Sequence, residues 1–301
     1  MKKVLIIGGS GFIGSSLAKY FFIKGYEISV FDRARNDHLS NIRTYIGNAY
    51  DSKELKELIK DFDIIINAIS IVSPANQFTT FYDGYAKDIE LNLRLMNILQ
   101  NCATKYLFIS SAGAIYGDTG AKVLNEKACV RPINYYGSIK LSIESICHVM
   151  NNITHSHRFI SVRIANAFGP NQDYKKGVGF IDAVLKCALF NETLHIFGDG
   201  KTVRDYIYID DICNLIEKIV NYEGNEDVFN LSTNIGYSQN QIINMVESLG
   251  YDIKKKYVES REGDINKAVI DNSLIRKLFG YEPMKMEEAL KFFIANIKRV
   301  N

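Results

Sequence analysis

An aliphatic run, Val4 to Ile7, ends on a glycine cluster spanning Gly8 to Gly14, and a helical apolar period begins inside that cluster and continues from Phe12 to Ile23. A short apolar run closed by glycine reads as a strand buried on both faces. Such a strand, passed through a tight turn directly into a helix, belongs to a parallel sheet with helices over both faces, because parallel neighbours need crossover connections. The rhythm recurs. Ile28 to Phe31 reads as the next strand, Ser52 to Lys60 as a helix, Ile64 to Asn67 as a strand, roughly Ala86 to Ala103 as a helix and Tyr106 to Ser110 as a further strand.

The expected fold class is α/β: a Rossmann-type doubly wound parallel sheet over residues 1–165, followed by a smaller mixed α/β C-terminal substrate domain over residues 166–301. After Arg163 the strand-helix alternation breaks into short strands, glycine turns and isolated helices such as Ser238 to Leu249 and Met286 to Lys298. Part of that stretch, about residues 203–230, is expected to pack back on the first domain, and the two parts are expected to share a ligand cleft.

Composition narrows the function classes. With 47% hydrophobic and 23% charged residues the chain reads as an ordinary globular protein. A net charge of +2 with scattered Lys and Arg lacks the basic stripe of a nucleic-acid binder, and the one tight run, Lys254 to Lys256, reads as a solvated edge. Cys102, Cys129, Cys147, Cys187 and Cys213 show neither close pairs nor metal-ligand spacing, so reduced thiols, a cytoplasmic location and no metal are expected. No apolar run is long enough to span a bilayer, so no membrane partner is expected.

Gly9-Ser-Gly11-Phe-Ile-Gly14 fits a dinucleotide fingerprint, while Gly8, Gly11 and Gly14 fit a variant spaced every third residue. Glycine permits the tight turn, lets backbone amides such as those of Phe12 and Ile13 approach a pyrophosphate, and lets the helix pack close to the strand. Asp32 closes the second strand, where a carboxylate accepts hydrogen bonds from ribose hydroxyls and repels a 2′-phosphate. Arg33 follows at once and offers the opposite possibility of neutralising such a phosphate. NAD is favoured over NADP.

Tyr136 precedes Lys140 by one helical turn, so the ammonium approaches the phenol and favours its ionised form. A phenol titrates near 10 when unperturbed, roughly three units above the pH at which a general base works best, and needs that help. Ser110 and Ser111 end a strand and offer hydroxyls for the same site.

With these motifs the chain resembles the extended short-chain dehydrogenase/reductases, in particular the NAD-dependent nucleotide-sugar epimerase/dehydratase branch of UDP-galactose 4-epimerase type. The resemblance also rests on Ile109-Ser-Ser-Ala-Gly-Ala-Ile-Tyr-Gly117, Arg163-Ile-Ala-Asn-Ala-Phe-Gly-Pro170, the Gly-Asp-Gly and Val-Arg-Asp-Tyr elements between Phe197 and Asp211, and Arg261-Glu-Gly-Asp264. It implies that Tyr136 is the base and that Lys140 binds the nicotinamide ribose. It places Asn48, Ala49 and Asp51 near the adenine, and Asn67, Ala68 and Ile69 beside the cofactor. Asn166, Arg204 and Arg261 would hold the substrate's nucleotide and diphosphate, since guanidinium forks grip phosphate bidentately. Val178 and Ile196 stand for the substrate-domain walls. Tyr206 and Tyr208 alternate with isoleucines and read as one face of a strand.

One position departs from the resemblance. Relatives carry a catalytic Ser or Thr four residues before Tyr116, and this chain has Ala112. Ser111 is expected to take that role, with Ser110 in reserve. The Ser-Ser stretch also lacks the Asp or Glu of sugar dehydratases, which weighs against water elimination. The leading expectation is a UDP-hexose-type 4-epimerase working through a transient 4-keto sugar with tightly bound NAD. The alternatives are an NAD(P)H-dependent 4-keto reductase of a nucleotide-activated deoxysugar and a non-catalytic dinucleotide-sensing regulator. A homodimer is implied through the helices bearing the stripes Leu91, Leu95, Ile98, Leu99 and Ile139, Ile143, Ile146, Met150.

Overall fold

The computed structural model describes residues 1–73, 77–117, 123–172, 175, 179–260 and 265–300, and for residues 77–82 and 298–300 the backbone alone. In chain order the elements are β1 (Lys3–Ile7), α1 (Phe12–Ile23), β2 (Glu27–Asp32), β3 (Arg43–Ile46), α2 (Lys53–Leu58), β4 (Ile64–Asn67), α3 (Gln77–Leu99), β5 (Lys105–Ser111), α4 (Ala112–Tyr116), α5 (Tyr135–Thr154) and β6 (Phe159–Ile164). There follow β7 (Asn166–Phe168), α6 (Phe180–Phe190), β8 (Thr193–Phe197), β9 (Val203–Tyr208), α7 (Ile209–Val220), β10 (Val228–Leu231), β11 (Gly236–Ser238), α8 (Gln239–Ser248), β12 (Lys254–Val258), β13 (Lys267–Ala268), α9 (Ser273–Phe279) and α10 (Met286–Val300).

The chain divides into two compact units. The first comprises Met1–Thr119, Cys129–Ile164 and Cys213–Phe229; the second comprises Gly120–Ala128, Ala165–Ile212 and Asn230–Asn301. The stretch expected to return to the first unit begins later than residue 203. Strand β9 hydrogen-bonds to β7, β11 and β13, and those ladders keep it in the second unit.

The first unit carries a seven-stranded sheet in the order β10-β6-β5-β4-β1-β2-β3. Strand β1 pairs in parallel with β2 on one side and β4 on the other, which is why Val4 to Ile7 is apolar at every position. Leu5, Ile7, Phe31, Ile65 and Phe108 face Leu91, Leu95 and Leu99 of α3 and Ile139 and Ile143 of α5 in one core. Each such side chain, fully buried, contributes about 1.5–3 kcal/mol of transfer free energy. The helical stripes read as a dimer seam are thus largely core, while Leu93, Tyr135, Val149 and Ile153 are the large apolar groups exposed among the described side chains of α3 and α5. Strand order reverses between β1 and β4, a switch point at whose C-terminal strand ends ligands bind in such sheets.

In the second unit β9 is the centre of a small mixed sheet, and β12 pairs in parallel with β8. Asp205, fully buried on β9, accepts hydrogen bonds from the Thr233 amide and hydroxyl, the Asn234 amide and the Ile270 amide. Burial still dominates and raises its carboxyl to about 6.

Candidate active site

The turn between β1 and α1 assigns a different task to each glycine. Gly8 has φ +82°, and its amide bonds to the Phe31 carbonyl at 2.9 Å. A Cβ at Gly8 would stand 3.2 Å from the backbone of Ala68 and Ile69, and one at Gly14 only 2.3 Å from the Gly8 carbonyl oxygen. Gly11 is different. It is the N-cap of α1 with φ −74°, no side chain caps the helix, and a Cβ would meet only the Gly8 oxygen at 3.4 Å. The helix therefore presents the amides of its first turn, from Phe12 and Ile13 onwards, to an anion.

Asp32 braces this turn, accepting from the Ser10 amide at 2.9 Å and the Arg33 amide at 2.7 Å. Each carboxylate oxygen retains a lone pair for a ribose hydroxyl. The Gly47 amide bonds to the Asp32 carbonyl at 2.9 Å and brings the next turn alongside. In that turn Asn48 donates to Asp51 at 2.9 Å and Ala49 is buried. Asn67 is fully buried and its carboxamide is committed: it donates to Asn92 and Tyr106 and accepts from the Ile69 amide. Asn67 thus shapes the end of β4, while Ala68 and Ile69 form the half-buried rim beside Gly8.

At the end of β5 the structure brings Tyr136, Lys140 and Ser111 together. Asn134 caps α5 by accepting from the Gly137 amide at 2.8 Å, which fixes the first turn carrying Tyr136. Lys140 Nζ donates to the Ile109 carbonyl at 3.0 Å and lies 5.5 Å from the centre of the Tyr136 ring. The Ser111 side chain acts on the Tyr136 hydroxyl, favouring its ionised form. The Ser110 hydroxyl is buried without a partner, on the opposite face of the strand. Ala112 begins α4 and is fully buried.

The electrostatics correct one expectation. Burial is the largest influence on Tyr136 and pushes its phenol up to about 12, with Ser111 pulling it down and Asp88 pushing it further up. Burial likewise brings Lys140 down to about 8, opposed by the charges of Asp88 and Glu144. Without further charge in the site, desolvation thus outweighs the help a lysine was expected to give the phenol. Glu144, one turn beyond Lys140, is held by Arg163 through bonds of 2.7–3.1 Å, and Arg163 also donates to Tyr116 at 2.9 Å.

The second unit contains a cavity of about 330 Å³ lined by Asn166, Phe168, Asp182, Arg204, Tyr206 and Gln239 among others. Asn166 donates to the Asp205 carbonyl at 2.7 Å, and Arg204 donates to the carbonyls of Val203 and Ile265 at 3.0 and 2.6 Å. Tyr206 and Tyr208 are buried against Phe168, and Tyr206 also reaches the cavity wall. Ile196 does not line it: β8 alternates, and its inward positions Leu194 and Ile196 enter the core. Val178 and Arg261 lie outside the described residues. Asp88 and Gln239 escaped the sequence reading, because neither sits in a recognisable motif.

A glycine turn at a switch point, an acidic end to the second strand and a Ser-Tyr-Lys cluster one strand further along define a dinucleotide-dependent oxidoreductase-type site on a doubly wound sheet. Residues 4–232 match the NAD dependent epimerase/dehydratase family, and the chain belongs to that family. It is 28% identical over 305 aligned residues to a UDP-glucose 4-epimerase of Halalkalibacterium halodurans, covering 93% of this chain and 90% of the relative. It is also 28% identical to the UDP-glucose 4-epimerase of Lactobacillus helveticus, covering 93% and 92%. Among solved structures it superposes with a TM-score of 0.91 on the UDP-glucose 4-epimerase of Thermotoga maritima in complex with UDP-glucose, at 28% identity and 99% coverage of both chains. Among the described residues there is no cluster of metal-ligating side chains and no helix long and apolar enough to cross a membrane.

Proposed function

We propose that the protein is a nucleotide-sugar 4-epimerase that acts on a UDP-hexose through a transient 4-keto sugar and retains NAD between turnovers. The observation that carries this reading is Lys140 Nζ, anchored on the Ile109 carbonyl of β5 and 5.5 Å from the centre of the Tyr136 ring, with Ser111 acting on the phenol from the end of the same strand. The residues present suit NAD. The uncapped start of α1 and the open space at Gly11 suit a pyrophosphate, Asp32 suits ribose hydroxyls unburdened by a 2′-phosphate, and the Lys140 ammonium suits the second ribose. When bound, NAD supplies a hydride acceptor that returns the hydride, and a positively charged ring.

Tyr136 Oη takes the proton from the sugar's C4 hydroxyl as that carbon is oxidised and gives it back when the carbonyl is reduced. Ser111 hydrogen-bonds the same oxygen and steadies the developing charge. Lys140, anchored on the Ile109 carbonyl, keeps a cation near the phenol below about pH 8. Asn166 and Arg204, with Arg261, hold the nucleotide and diphosphate. A homodimer belongs to the same proposal, and Leu93, Val149 and Ile153 are among the exposed apolar groups such pairing would cover.

The test is direct. Protein purified without added cofactor and then denatured is expected to release NAD, and the native protein to interconvert UDP-glucose and UDP-galactose. Protein that arrives empty and consumes NADH or NADPH stoichiometrically with a 4-keto sugar would make it a reductase. Light scattering reads the dimer.

A further inference from the structure

Asp88 lies in the middle of α3, 2% exposed. Its carboxylate accepts from the Tyr50 hydroxyl at 2.6 Å, the Ser70 hydroxyl at 2.9 Å and the Ile71 amide at 3.1 and 3.2 Å. These donors come from two separate segments. Tyr50 follows β3 beside Asn48 and Ala49, and Ser70 and Ile71 follow β4 just beyond the Ala68 and Ile69 backbone against which Gly8 packs. Helix α3 holds Tyr50 a second time, since Arg94 donates to its carbonyl at 3.0 Å. Helix α3 also meets α5, which carries Tyr136, Lys140 and Glu144, and Tyr85 and Ser142 are 3.4 Å apart across that contact. Burying a carboxylate costs several kcal/mol unless its oxygens are satisfied, and here three neutral donors satisfy them.

We propose that Asp88 is a positioning residue: one buried anion fastens the segments following β3 and β4 to α3 and fixes the negative charge that acts on the Tyr136–Lys140 pair. The proposal rests on the reading of that pair as the proton-transfer site. Among the described residues Asp88 acts on Tyr50, whose hydroxyl burial and Asp88 together keep protonated, and on Tyr136 and Lys140 of α5; Arg33 also acts on Tyr50, Arg94 holds the Tyr50 carbonyl, and Glu144 also acts on Lys140. The negative charge holds a proton on both partners, raising the pKa of the phenol and of the ammonium alike. Removing it moves both titrations to lower pH. A carboxylate that only braced the loops would change rates or stability without displacing either.

The experiment compares Asp88→Asn, which keeps one acceptor oxygen and loses the charge, with Asp88→Glu, which keeps the charge. In cofactor-free protein, nitrogen-detected NMR of Lys140 Nζ is expected to show a midpoint near 8 in the parent protein and about half a pH unit or more lower in Asp88→Asn. Asp88→Glu is expected to restore it. In the loaded enzyme both limbs of the kcat–pH profile are expected to move to acid in Asp88→Asn, with KM within about twofold. An unmoved Lys140 midpoint, or rate loss with both limbs in place, overturns the proposal. Since the NMR titration needs neither cofactor nor turnover, it reads Asp88 even for a protein without epimerase activity. Should Asp88→Asn not fold, Tyr50→Phe is expected to speed hydrogen exchange at the Ile71 amide while leaving the Lys140 midpoint in place. Unchanged exchange would overturn the fastening role.

Discussion

Replacing Gly11 and Gly14 separately by alanine tests whether the glycine turn serves the ligand or the fold. At Gly11 the backbone sits at φ −74°, ψ 175°, which alanine adopts freely, and the added Cβ meets only the Gly8 oxygen at an ordinary 3.4 Å. The one structural loss is that alanine is a poorer N-cap than glycine, below about 1 kcal/mol. At roughly 2–4 °C of melting temperature per kcal/mol, Gly11→Ala is expected to melt within about 4 °C of the parent. The methyl nevertheless enters the space before the first-turn amides. A misfit of about 1–3 kcal/mol there weakens NAD binding by about 5- to 150-fold. At Gly14 the Cβ would lie 2.3 Å from the Gly8 oxygen, 2.8 Å from Gly9 Cα and 2.9 Å from the Gly8 carbonyl carbon, all backbone atoms that cannot swing aside. Alanine's helical preference returns about 1 kcal/mol, but overpacking at the upper end of about 1–3 kcal/mol exceeds it, leaving a net loss of about 2 kcal/mol and about 4–8 °C. Thermal denaturation of cofactor-free protein, paired with calorimetric NAD titration, separates the two. Gly11→Ala melting as low as Gly14→Ala, or binding NAD within twofold of the parent, would refute the division of labour.

Tyr136→Phe is expected to lose about 10²-fold or more in kcat while retaining bound NAD, and near-normal turnover would remove Tyr136 from proton transfer. Ser111→Ala should slow turnover more than Ser110→Ala, because Ser111 acts on the phenol while the Ser110 hydroxyl is buried without a partner; Ser110→Ala should leave stability unchanged or higher, and steady-state rates with melting curves give the order. Glu144→Gln leaves the Arg163 guanidinium buried without its counter-charge and is expected to cost about 3–5 kcal/mol by urea denaturation, a loss below 1 kcal/mol being incompatible with the paired geometry. Asp205 titrates near 6 when folded, above its unfolded value of 3.8, so its contribution to stability is fully present below pH 3.8 and is lost as pH rises through 6. Asp205→Asn should remove that dependence, and identical stability–pH slopes in the two proteins between pH 4 and 7 would contradict it.

How far the sequence reveals the structure depends on the range over which each feature is determined. Helix α1 and strand β4 coincide with the spans read from residue pattern, because glycine punctuation and an unbroken aliphatic run mark their ends. Strand β3, Arg43–Ile46, escapes the reading: it sits at the sheet edge with no buried side chain, so neither alternation nor an apolar run identifies it. Helix α3 begins at Gln77 instead of near Ala86, across Gly84, a residue that ordinarily weakens a helix. There a Cβ would stand 2.5 Å from a Val72 methyl, so the glycine admits a close neighbour and does not mark a boundary.

The same division runs through the candidate site. Tyr136, Lys140 and Ser111 are legible because one helical turn and one strand end bring them together. Asp88 is not, since its partners Tyr50 and Ser70 lie 38 and 18 positions away and an aspartate on a long helix reads as a solvated face. Spacing predicts which charges are near the phenol, but the sign of the net effect needs the burial as well. Tyr136 shows why: a neighbouring lysine argues for a lowered pKa, yet desolvation raises it to about 12, and that burial is created by the packing of α3, α4 and β5 around the start of α5. A phenol held so high is a poor base until positive charge enters the site. The proton-transfer step is therefore expected to depend on the charge of what occupies the nucleotide cradle, a dependence that no spacing along the chain encodes.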